Sequence, residues 1–461
     1  MHFDMKSKFP SKVSIIGGAR SGLAAAVFFM ERGSKVFVSD SCSEQKLLAS
    51  LGAKGLLGLE HESGSHSDRV LDCDLIILSP GVPSDLSILK KAQSAGIPVW
   101  SEMELGYQVS KAPFLAVTGS TGKSTTVSLA GEAFKAAGTE SVVAGNIGIP
   151  VISIVPSLSA CGFVVAEVSS FQLENIEQFR PKAAVVLNFM KNHLDRYISE
   201  DDYYNAKKQI ARHFNKENYL ILNARDPRLV AWSKQMEQKT NIIYFGEDVD
   251  GYDSFWCEQD QLCYRFAGST GVILKFSDML IKGRHNHENA CAASALAKVA
   301  GIEDVFIRKG ICSFGGLPHR LEFIQCIDGV SWYNDSKSTT AESIAVAVAA
   351  FSNGVHLIAG GKDKGCDFAV VNDVIAAGVK DIVLIGEAAE RMEEQWRGLV
   401  PIYRCNTLKD AIDTADSKSK PGDCVVFSPG CSSFDMFSSY EERGAIFRQL
   451  VTELGNERAG S

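Results

Sequence analysis

The stretch Phe114-Leu-Ala-Val-Thr-Gly-Ser-Thr-Gly-Lys-Ser-Thr-Thr126 constrains the fold of this chain more than any other. Four mostly apolar residues, 114–117, read as a short buried strand. A loop with Gly119 and Gly122 follows, and Lys123, Ser124 and Thr125 open a helical run that stops near Gly138. Strand, glycine loop, lysine, hydroxyl and helix in that order can cradle polyphosphate. Backbone N–H groups and the helix N-terminus face the anion, the lysine adds a point charge, and the hydroxyl can ligate magnesium. A strict G-x-x-x-x-G-K-[ST] loop needs glycine where this chain has Val117, so the form here is the shorter T-G-x-x-G-K-[ST]. The flanking strand and helix favour ATP binding over a glycine turn followed by a chance Lys-Ser.

At 461 residues the chain is too long for one core and predicts about three domains. Its 45% apolar and 22% charged residues are those of an ordinary soluble globular protein. A formal net charge of −8 argues against general nucleic-acid binding and leaves no basic tail for a membrane surface. Apolar runs such as residues 23–30 fall far short of the roughly 18 residues a membrane-crossing helix needs. Residues 1–10 contain no apolar signal core, so a cytoplasmic location is expected. The twelve cysteines are scattered and never in C-x-x-C spacing; most read as small buried hydrophobes rather than disulfides or zinc ligands.

The first segment opens with a strand over residues 12–16, then Gly17-Gly-Ala-Arg-Ser-Gly22, a helix to Arg32 and a second strand ending at Asp40. This is a βαβ nucleotide-binding start, with an acid about 20 positions beyond the glycines where it can meet a ribose hydroxyl. Ala19 stands where a dinucleotide fingerprint has its middle glycine, which leaves a nucleotide-sugar site or a ligand-free Rossmann-like domain. Strands at 75–78 and 98–100 follow. Between them, Ser79-Pro-Gly-Val-Pro83 is a turn at a strand's C-terminal end, where open α/β sheets bind ligands.

The central segment continues with a strand at 141–144, the loop Gly145-Asn-Ile-Gly-Ile-Pro150, and the strand-borne Glu167, a carboxylate that could hold Mg²⁺ beside the phosphate loop. A strand at 183–187 leads to Asn188 and His193-Leu-Asp-Arg-Tyr197. A helix is predicted over 201–214 with Lys207 and Lys208, and a strand over 219–222. Gly283-Arg-His-Asn-His-Glu-Asn289 leads into a helix over 290–299; His285, His287 and Glu288 share that helix start and are assigned no transition metal. Turn residues at Phe314-Gly-Gly-Leu-Pro318 mark the third segment. There Asp335-Ser-Lys337, residues 356–361, 382–386 and 424–430 alternate strands with helices, predicting another mostly parallel sheet.

Taken together, these stretches resemble the Mur ligases, ATP-dependent enzymes that add amino acids to the peptidoglycan precursor. The shortened phosphate loop, Glu167, His193, the H-N-x-x-N of His285 to Asn289 and the Asp-Ser-Lys of the third segment stand in family order. Ser169-Ser-Phe-Gln-Leu-Glu174, Leu317-Pro-His-Arg-Leu-Glu322 and Ser428-Pro-Gly-Cys-Ser-Ser-Phe-Asp-Met-Phe437 look like its D-glutamate-adding branch. The resemblance implies an α/β protein of three domains: a Rossmann-like UDP-sugar-binding domain at 1–109, a central P-loop ATPase-like ATP-binding domain at 110–313, and a C-terminal Rossmann-like amino-acid-binding domain at 314–461.

It implies joining of D-glutamate to UDP-N-acetylmuramoyl-L-alanine through an acyl phosphate, with ATP and two Mg²⁺ as cofactors and a monomeric enzyme. By the same resemblance, Gly119, Ser120, Thr121, Gly122, Lys123, Ser124 and Thr125 hold the ATP phosphates. Asn286 and Asn289 face the adenine, and Arg320 and Asp335 reach ATP from the third domain. Ser124, Glu167 and His193 serve the metals. Lys207, in the pattern Tyr203-x-x-Ala-Lys-x-x-Ile210, serves as a carbamylated extra carboxylate, with Lys208 the competing choice. Lys123, His193 and Lys207 make the catalytic set. Ser21, Asp40, Ser79, Gly81 and Asn146 hold the UDP-sugar; Lys337, Thr339, Lys364, Ser433 and Phe434 receive D-glutamate. The chain departs from the family at Asn192, at Gly430 and Ser432, and at Tyr440. The competing readings are a Mur-type ligase for another amino acid, a folate ligase, which lacks the first domain, and an NAD-dependent oxidoreductase, which Ala19 and the phosphate loop disfavour. A non-enzymatic ATP-binding switch would leave Lys337, Lys364 and Ser433 without a role.

Overall fold

Residues 9–190, 196–352, 354–363 and 365–459 are described by the computed structural model, and among them three sheets carry the fold. The first has five parallel strands in the order Glu60–Ser63, Lys35–Asp40, Lys12–Ile16, Leu75–Leu78, Val99–Ser101. Val13 to Ile16 are buried, as a strand covered on both faces requires. The chain runs from this middle strand to one edge and then to the other side, which opens a switch point between Lys12–Ile16 and Leu75–Leu78. Gly22 allows the helix Arg20–Met30 to pack on the preceding turn, because a Cβ there would lie 1.9 Å from the Gly17 carbonyl oxygen.

The second sheet has nine strands. Seven are parallel, in the order Asp253–Glu258, Asn241–Gly246, Tyr219–Asn223, Ala183–Val186, Phe114–Thr118, Phe163–Glu167, Ser141–Gly145. Gln261–Phe266 and Ser269–Lys275 extend it as antiparallel hairpins. Phe114–Thr118 is wholly buried near the middle, so its C-terminal end opens between the ends of two neighbours.

Buried acids join these two sheets. Glu104 accepts hydrogen bonds from the backbone N–H groups of Glu177, Gln178 and Phe179 at 2.9–3.0 Å. Glu102 accepts from the Ile152 N–H at 2.7 Å. Burial pushes the Glu102 carboxyl up to about 7, against the bonds from Ile152 and Val151 that favour its charged form.

Met1–Ser277 with Glu288–Ile311 forms one unit, which holds the first two sheets; Asp278–His287 with Cys312–Ser461 forms the other. The second unit carries the third sheet, in the order Glu322–Ile327, Val330–Asn334, Cys424–Phe427, Val355–Gly360, Val379–Ile385, Ile402–Arg404. Only the Glu322–Ile327 edge is antiparallel. The helix Tyr440–Ala459 closes one face by stacking Phe447 on Phe427 at 4.6 Å between ring centroids. At the N-terminal edge of this sheet, buried His356 lies between Asp381, 2.9 Å from Nδ1, and Asp423, 3.0 Å from Nε2. Two carboxylates can only accept, so both ring nitrogens donate and the ring is a cation.

The helix expected to begin near residue 290 begins at Arg284, which puts Asn286 and Asn289 on its first turns, three positions apart. Against the expectation that most cysteines are small buried hydrophobes, three, Cys263, Cys291 and Cys431, are buried, seven are half-buried, and Cys161 and Cys326 are exposed. Among the described residues no helix is long and apolar enough to cross a membrane.

Candidate functional site

The phosphate loop emerges where three strand ends meet. Gly122 takes φ +83° and ψ −13° as the N-cap of the helix Lys123–Ala136, a left-handed conformation that glycine adopts without strain. A Cβ there would stand 2.6 Å from Asn289 Oδ1, so the loop and the helix Arg284–Val299 approach too closely for a side chain. Thr126 completes that contact by donating to the Gly122 carbonyl at 3.0 Å and to Asn289 Oδ1 at 3.3 Å. From the next strand end, Asn188 Oδ1 accepts the N–H groups of Ser120 and Thr121 at 3.1 and 3.0 Å. Lys123 Nζ curls back to the carbonyls of Gly119 and Ser120 at 2.9 and 3.1 Å, which places the ammonium inside the loop.

Glu167, 2% exposed at the end of its strand, accepts from Ser124 Oγ at 2.7 Å with one oxygen and from Asn146 Nδ2 at 2.9 Å with the other. A single carboxylate thus bridges the phosphate loop and the loop after Ser141–Gly145. Lys207, 1% exposed, donates to the Gly119 carbonyl at 2.9 Å and sits 4.4 Å from the Tyr203 ring centroid. Burial, helped by the charge of Lys123, brings its amine down to about 7, so near neutral pH much of it is a neutral nucleophile. His193 and Lys364 lie outside the described residues.

At the switch point of the first sheet lies a cavity of about 600 Å³. Ser21, Asp40, Ser79, Gly81 and Asn146, the five residues assigned to the sugar nucleotide, all line it. Burial works to raise the Asp40 pKa, but backbone bonds from Cys42 at 2.8 Å and Gly18 at 2.6 Å outweigh it and hold the carboxylate below its usual range. Ser79 Oγ donates to the Gly17 carbonyl at 2.9 Å and ties the two strand ends together. The cavity's outer wall is clamped by Arg196, which donates to the carbonyls of Pro80 and Val82 at 3.2 and 3.1 Å and to Glu174 at 3.0 Å. Glu174 also accepts from Ser84 and Tyr197, so one carboxylate gathers three parts of the chain.

In the second unit, Asp335 accepts from the Leu321 N–H at 3.0 Å, from Ser428 at 2.9 Å and from Ser338. Burial pushes its carboxyl up to about 6 against those bonds. Exposed Arg320 stands between His319 at φ +62° and Leu321 at φ +43°, a strained turn held by the Leu317 carbonyl and by Asp335. Lys337 is exposed with Nζ 5.8 Å from the Tyr440 ring centroid. Ser433 is buried, and Phe434 is 68% exposed although apolar. Arg443 joins their loops: Nε donates to Ser336 Oγ at 3.0 Å, and NH2 donates to the carbonyls of Ser336 and Cys431 at 2.8 and 3.0 Å.

Family models match in the same order as these parts: a Mur ligase MurD-like N-terminal domain over residues 11–101, a Mur ligase middle domain over 117–297, and a Mur ligase glutamate ligase domain over 319–431. The chain belongs to the Mur ligase family. Among curated Mur ligases it is 42% identical over 446 residues to the UDP-N-acetylmuramoylalanine–D-glutamate ligase of Geotalea daltonii, covering 96% of this chain and 97% of that one. It is 39% identical over 447 residues to the enzyme of the same name from Koribacter versatilis, covering 97% and 98%. Two solved ligases share the fold. UDP-N-acetylmuramate-alanine ligase from Thermotoga maritima matches at TM-score 0.54 and 17% identity over 96% of this chain and 99% of that one. A pseudomurein peptide ligase type C from Methanothermus fervidus matches at 0.51 and 16% over 96% and 100%.

Several residues of this Mur ligase were not assigned from sequence. Asn188 stood out only as the residue ending a strand. Arg443 lies in a polar helix with no motif around it, and its partner Ser336 is 107 residues away. His66, Arg20 and Gln172 line the first-sheet cavity without belonging to any spacing that marks a site.

Proposed function

We propose that this Mur ligase joins D-glutamate to UDP-N-acetylmuramoyl-L-alanine at the expense of ATP, the activity for which its full-length relatives are named. One observation carries the reading at the level of the site: Asn146, on the cavity wall, is hydrogen-bonded to Glu167, which is hydrogen-bonded to Ser124 of the phosphate loop. An acceptor bound by Ser21, Asp40, Ser79, Gly81 and Asn146 ends its carboxylate where the loop begins. An oxygen of that carboxylate attacks the γ-phosphorus, the bond to the bridging oxygen breaks, and ADP leaves behind an acyl phosphate. The D-glutamate amine then attacks the acyl carbon, phosphate departs with the C–O electron pair, and the amine's proton goes to solvent.

Phosphoryl transfer is mostly positioning and charge neutralisation. Gly119 to Thr125 wrap the phosphates, and Lys123 turns from its loop carbonyls onto them. Asn286 and Asn289 hold the adenine, with Arg320 and Asp335 serving ATP from the third domain. Ser124 and Glu167 present a hydroxyl and a carboxylate 2.7 Å apart, hard oxygen donors that suit Mg²⁺. Among the described residues no three His, Cys, Asp or Glu side chains are grouped to hold a metal ion. His193 and a carbamate on Lys207 would complete the set for two ions. Mg²⁺ supplies neutralisation of phosphate charge. Forming the carbamate requires a neutral amine to add to CO₂ and release one proton, and the lowered Lys207 pKa provides that amine. Lys337, Thr339, Lys364, Ser433 and Phe434 receive D-glutamate. The enzyme works as a cytoplasmic monomer of three domains at 1–109, 110–313 and 314–461.

Phosphate release is expected only when ATP, Mg²⁺, UDP-N-acetylmuramoyl-L-alanine and D-glutamate are all present. Equal turnover with L-lysine, meso-diaminopimelate or L-alanine would refute the D-glutamate assignment while sparing the ligase.

A further inference from the structure

Two cysteines 34 residues apart meet on the helix that packs against the phosphate loop. Cys257, on the strand Asp253–Glu258, and Cys291, on the helix Arg284–Val299, hold their sulfurs 4.0 Å apart. A disulfide bond is about 2 Å long, so closing the pair takes side-chain rotation and a shift of helix against strand. A third thiol, Cys263, lies on the neighbouring strand but faces elsewhere. In the antiparallel register Cys257 stands opposite Leu262 and Cys263 opposite Trp256, which sends the two thiols to opposite faces of the sheet. On the Cys257 face, Phe255 stacks on Tyr264, which donates to Asp304 at 2.8 Å and lies 4.6 Å from Lys298 Nζ. That is the face the helices cover, and it leaves Cys291 as the thiol that Cys257 can reach.

Burial divides the roles. Cys291 is 0% exposed, and burial, then Cys257 and Glu288, push its thiol well above the usual range; Cys257 is half-buried and is the one an oxidant meets. We propose that hydrogen peroxide closes a reversible disulfide between Cys257 and Cys291, and that this bond weakens ATP binding. The Cys257 thiolate attacks one peroxide oxygen, the O–O bond breaks, and the departing hydroxide takes up a proton to leave as water. Cys291 then gives up its proton and attacks the sulfenic sulfur, and the S–O bond breaks to release a second water. Two thiols thus lose two electrons and two protons to one peroxide. A thiol reductant returns them, as a reducing compartment requires. Asn289 carries the effect to the loop. It lies two residues before Cys291, its Oδ1 accepts from Thr126 at 3.3 Å, and it leaves no room for a Cβ at Gly122. A shift of the helix therefore presses on the loop or pulls away from it. The effect on ATP rests on the proposed reading of this loop; the disulfide does not.

The test treats the full-length enzyme with hydrogen peroxide, maps disulfides by mass spectrometry of unreduced peptides, and measures KM for ATP and for the acceptor. A Cys257–Cys291 bridge should appear, with KM for ATP raised by about tenfold and KM for the acceptor unchanged. Dithiothreitol should restore both the thiols and the constant. Cys257→Ser should keep its KM for ATP under peroxide. The mapping needs no variant, so it stands even if Cys257→Ser does not fold. Exposed Cys161 and Cys326 report that oxidant has reached the protein, so their oxidation without a Cys257–Cys291 bridge overturns the proposal. A rise in KM for ATP that persists in Cys257→Ser, or a bridge that leaves KM for ATP unchanged, overturns the coupling to the loop. Phosphate release that needs no ATP overturns the reading of the loop instead, and the mapped bridge is unaffected.

Discussion

Replacing Arg443 by methionine separates what this side chain does for the fold from what it does for the amino-acid loops. The guanidinium is 1% exposed, and no carboxylate stands at ion-pair distance among the described residues. Burial brings its pKa down from 12.5 to about 10, a drop of about 2.5 units, so keeping the charge inside costs about 3 kcal/mol that methionine would recover. Against that gain, the carbonyls of Ser336 and Cys431 each lose a donor, at about 1–3 kcal/mol apiece. The net effect on stability should therefore fall between a gain of about 1 kcal/mol and a loss of about 3 kcal/mol. It should not vary across neutral pH, because the arginine is charged there in both folded and unfolded chains. The catalytic effect should be far larger. Ser336 adjoins Lys337 and Cys431 lies two residues before Ser433, so releasing both loops should lower kcat/KM for D-glutamate by about a hundredfold, the scale of an ångström's misplacement. The constants for ATP should move far less, because Asp335, though it adjoins Ser336, stays held by Leu321, Ser338 and Ser428. Steady-state kinetics with each substrate varied in turn, beside a thermal melt, check this. A folded variant with wild-type kcat/KM for D-glutamate would refute the positioning role. So would one whose ATP and D-glutamate constants decline together.

Two further perturbations test other parts of the structure. Gly122→Ala places a Cβ 2.6 Å from Asn289 Oδ1 in a left-handed conformation costing about 1–2 kcal/mol, so KM for ATP should rise by about tenfold or more while KM for the acceptor holds; nucleotide titration showing wild-type ATP affinity would contradict it. At His356, burial works to lower the pKa, but bonds and charge from Asp381 and Asp423 outweigh it and the pKa is raised above 6.5; Asp423 is lowered from 3.8 to about 2. The histidine's contribution is complete below pH 6.5 and is lost as pH rises through its folded value; that of Asp423 is complete above 3.8 and is lost toward 2. Calorimetric melts should therefore show a broad optimum between these limits. His356→Leu should flatten the alkaline side and cost about 3–5 kcal/mol by stranding buried Asp381, whereas Asp423 keeps Lys380 and the Lys420 N–H.

What the sequence disclosed follows from where the chemistry is written. Strands buried on both faces, such as Lys12–Ile16, Leu75–Leu78 and Phe163–Glu167, are apolar runs ended by glycine, serine or an acid, and they stand where those runs predicted. Glu60–Ser63 has no apolar residue, because it is an edge strand that needs none, and it was not anticipated. The hairpins over 253–275 also went unread: the register shifts between Leu262 and Cys263, which breaks the alternation that marks a half-buried strand. The same distinction holds within the site. Lys123, Ser124, Asn146 and Glu167 sit at fixed spacing on loops and strand ends, and the fold brings them together. Arg443 and Asn188 act through partners that chain order does not reveal.

The two bond-forming steps make different demands, and the acceptor cavity, the phosphate loop, Glu167 and Lys207 answer those of the first from within one unit. Attack of a carboxylate on phosphorus succeeds only if oxygen, phosphorus and leaving group are nearly in line, a tolerance that a mobile connection between sites would forfeit. The cavity residues, the phosphate loop, Glu167 and Lys207 all belong to the unit built on the first two sheets. Within it, Glu104 holds the first sheet to the second through three backbone N–H groups, and Glu174 with Arg196 fixes the cavity wall. An amine attacking an already activated acyl carbon needs no such shared frame; it must arrive only after the acyl phosphate exists. Lys337, Thr339, Ser433 and Phe434 stand on the other unit, reached by chain crossings after Ser277, His287 and Ile311. Asn146–Glu167–Ser124 links the cavity to the phosphate loop within that first unit.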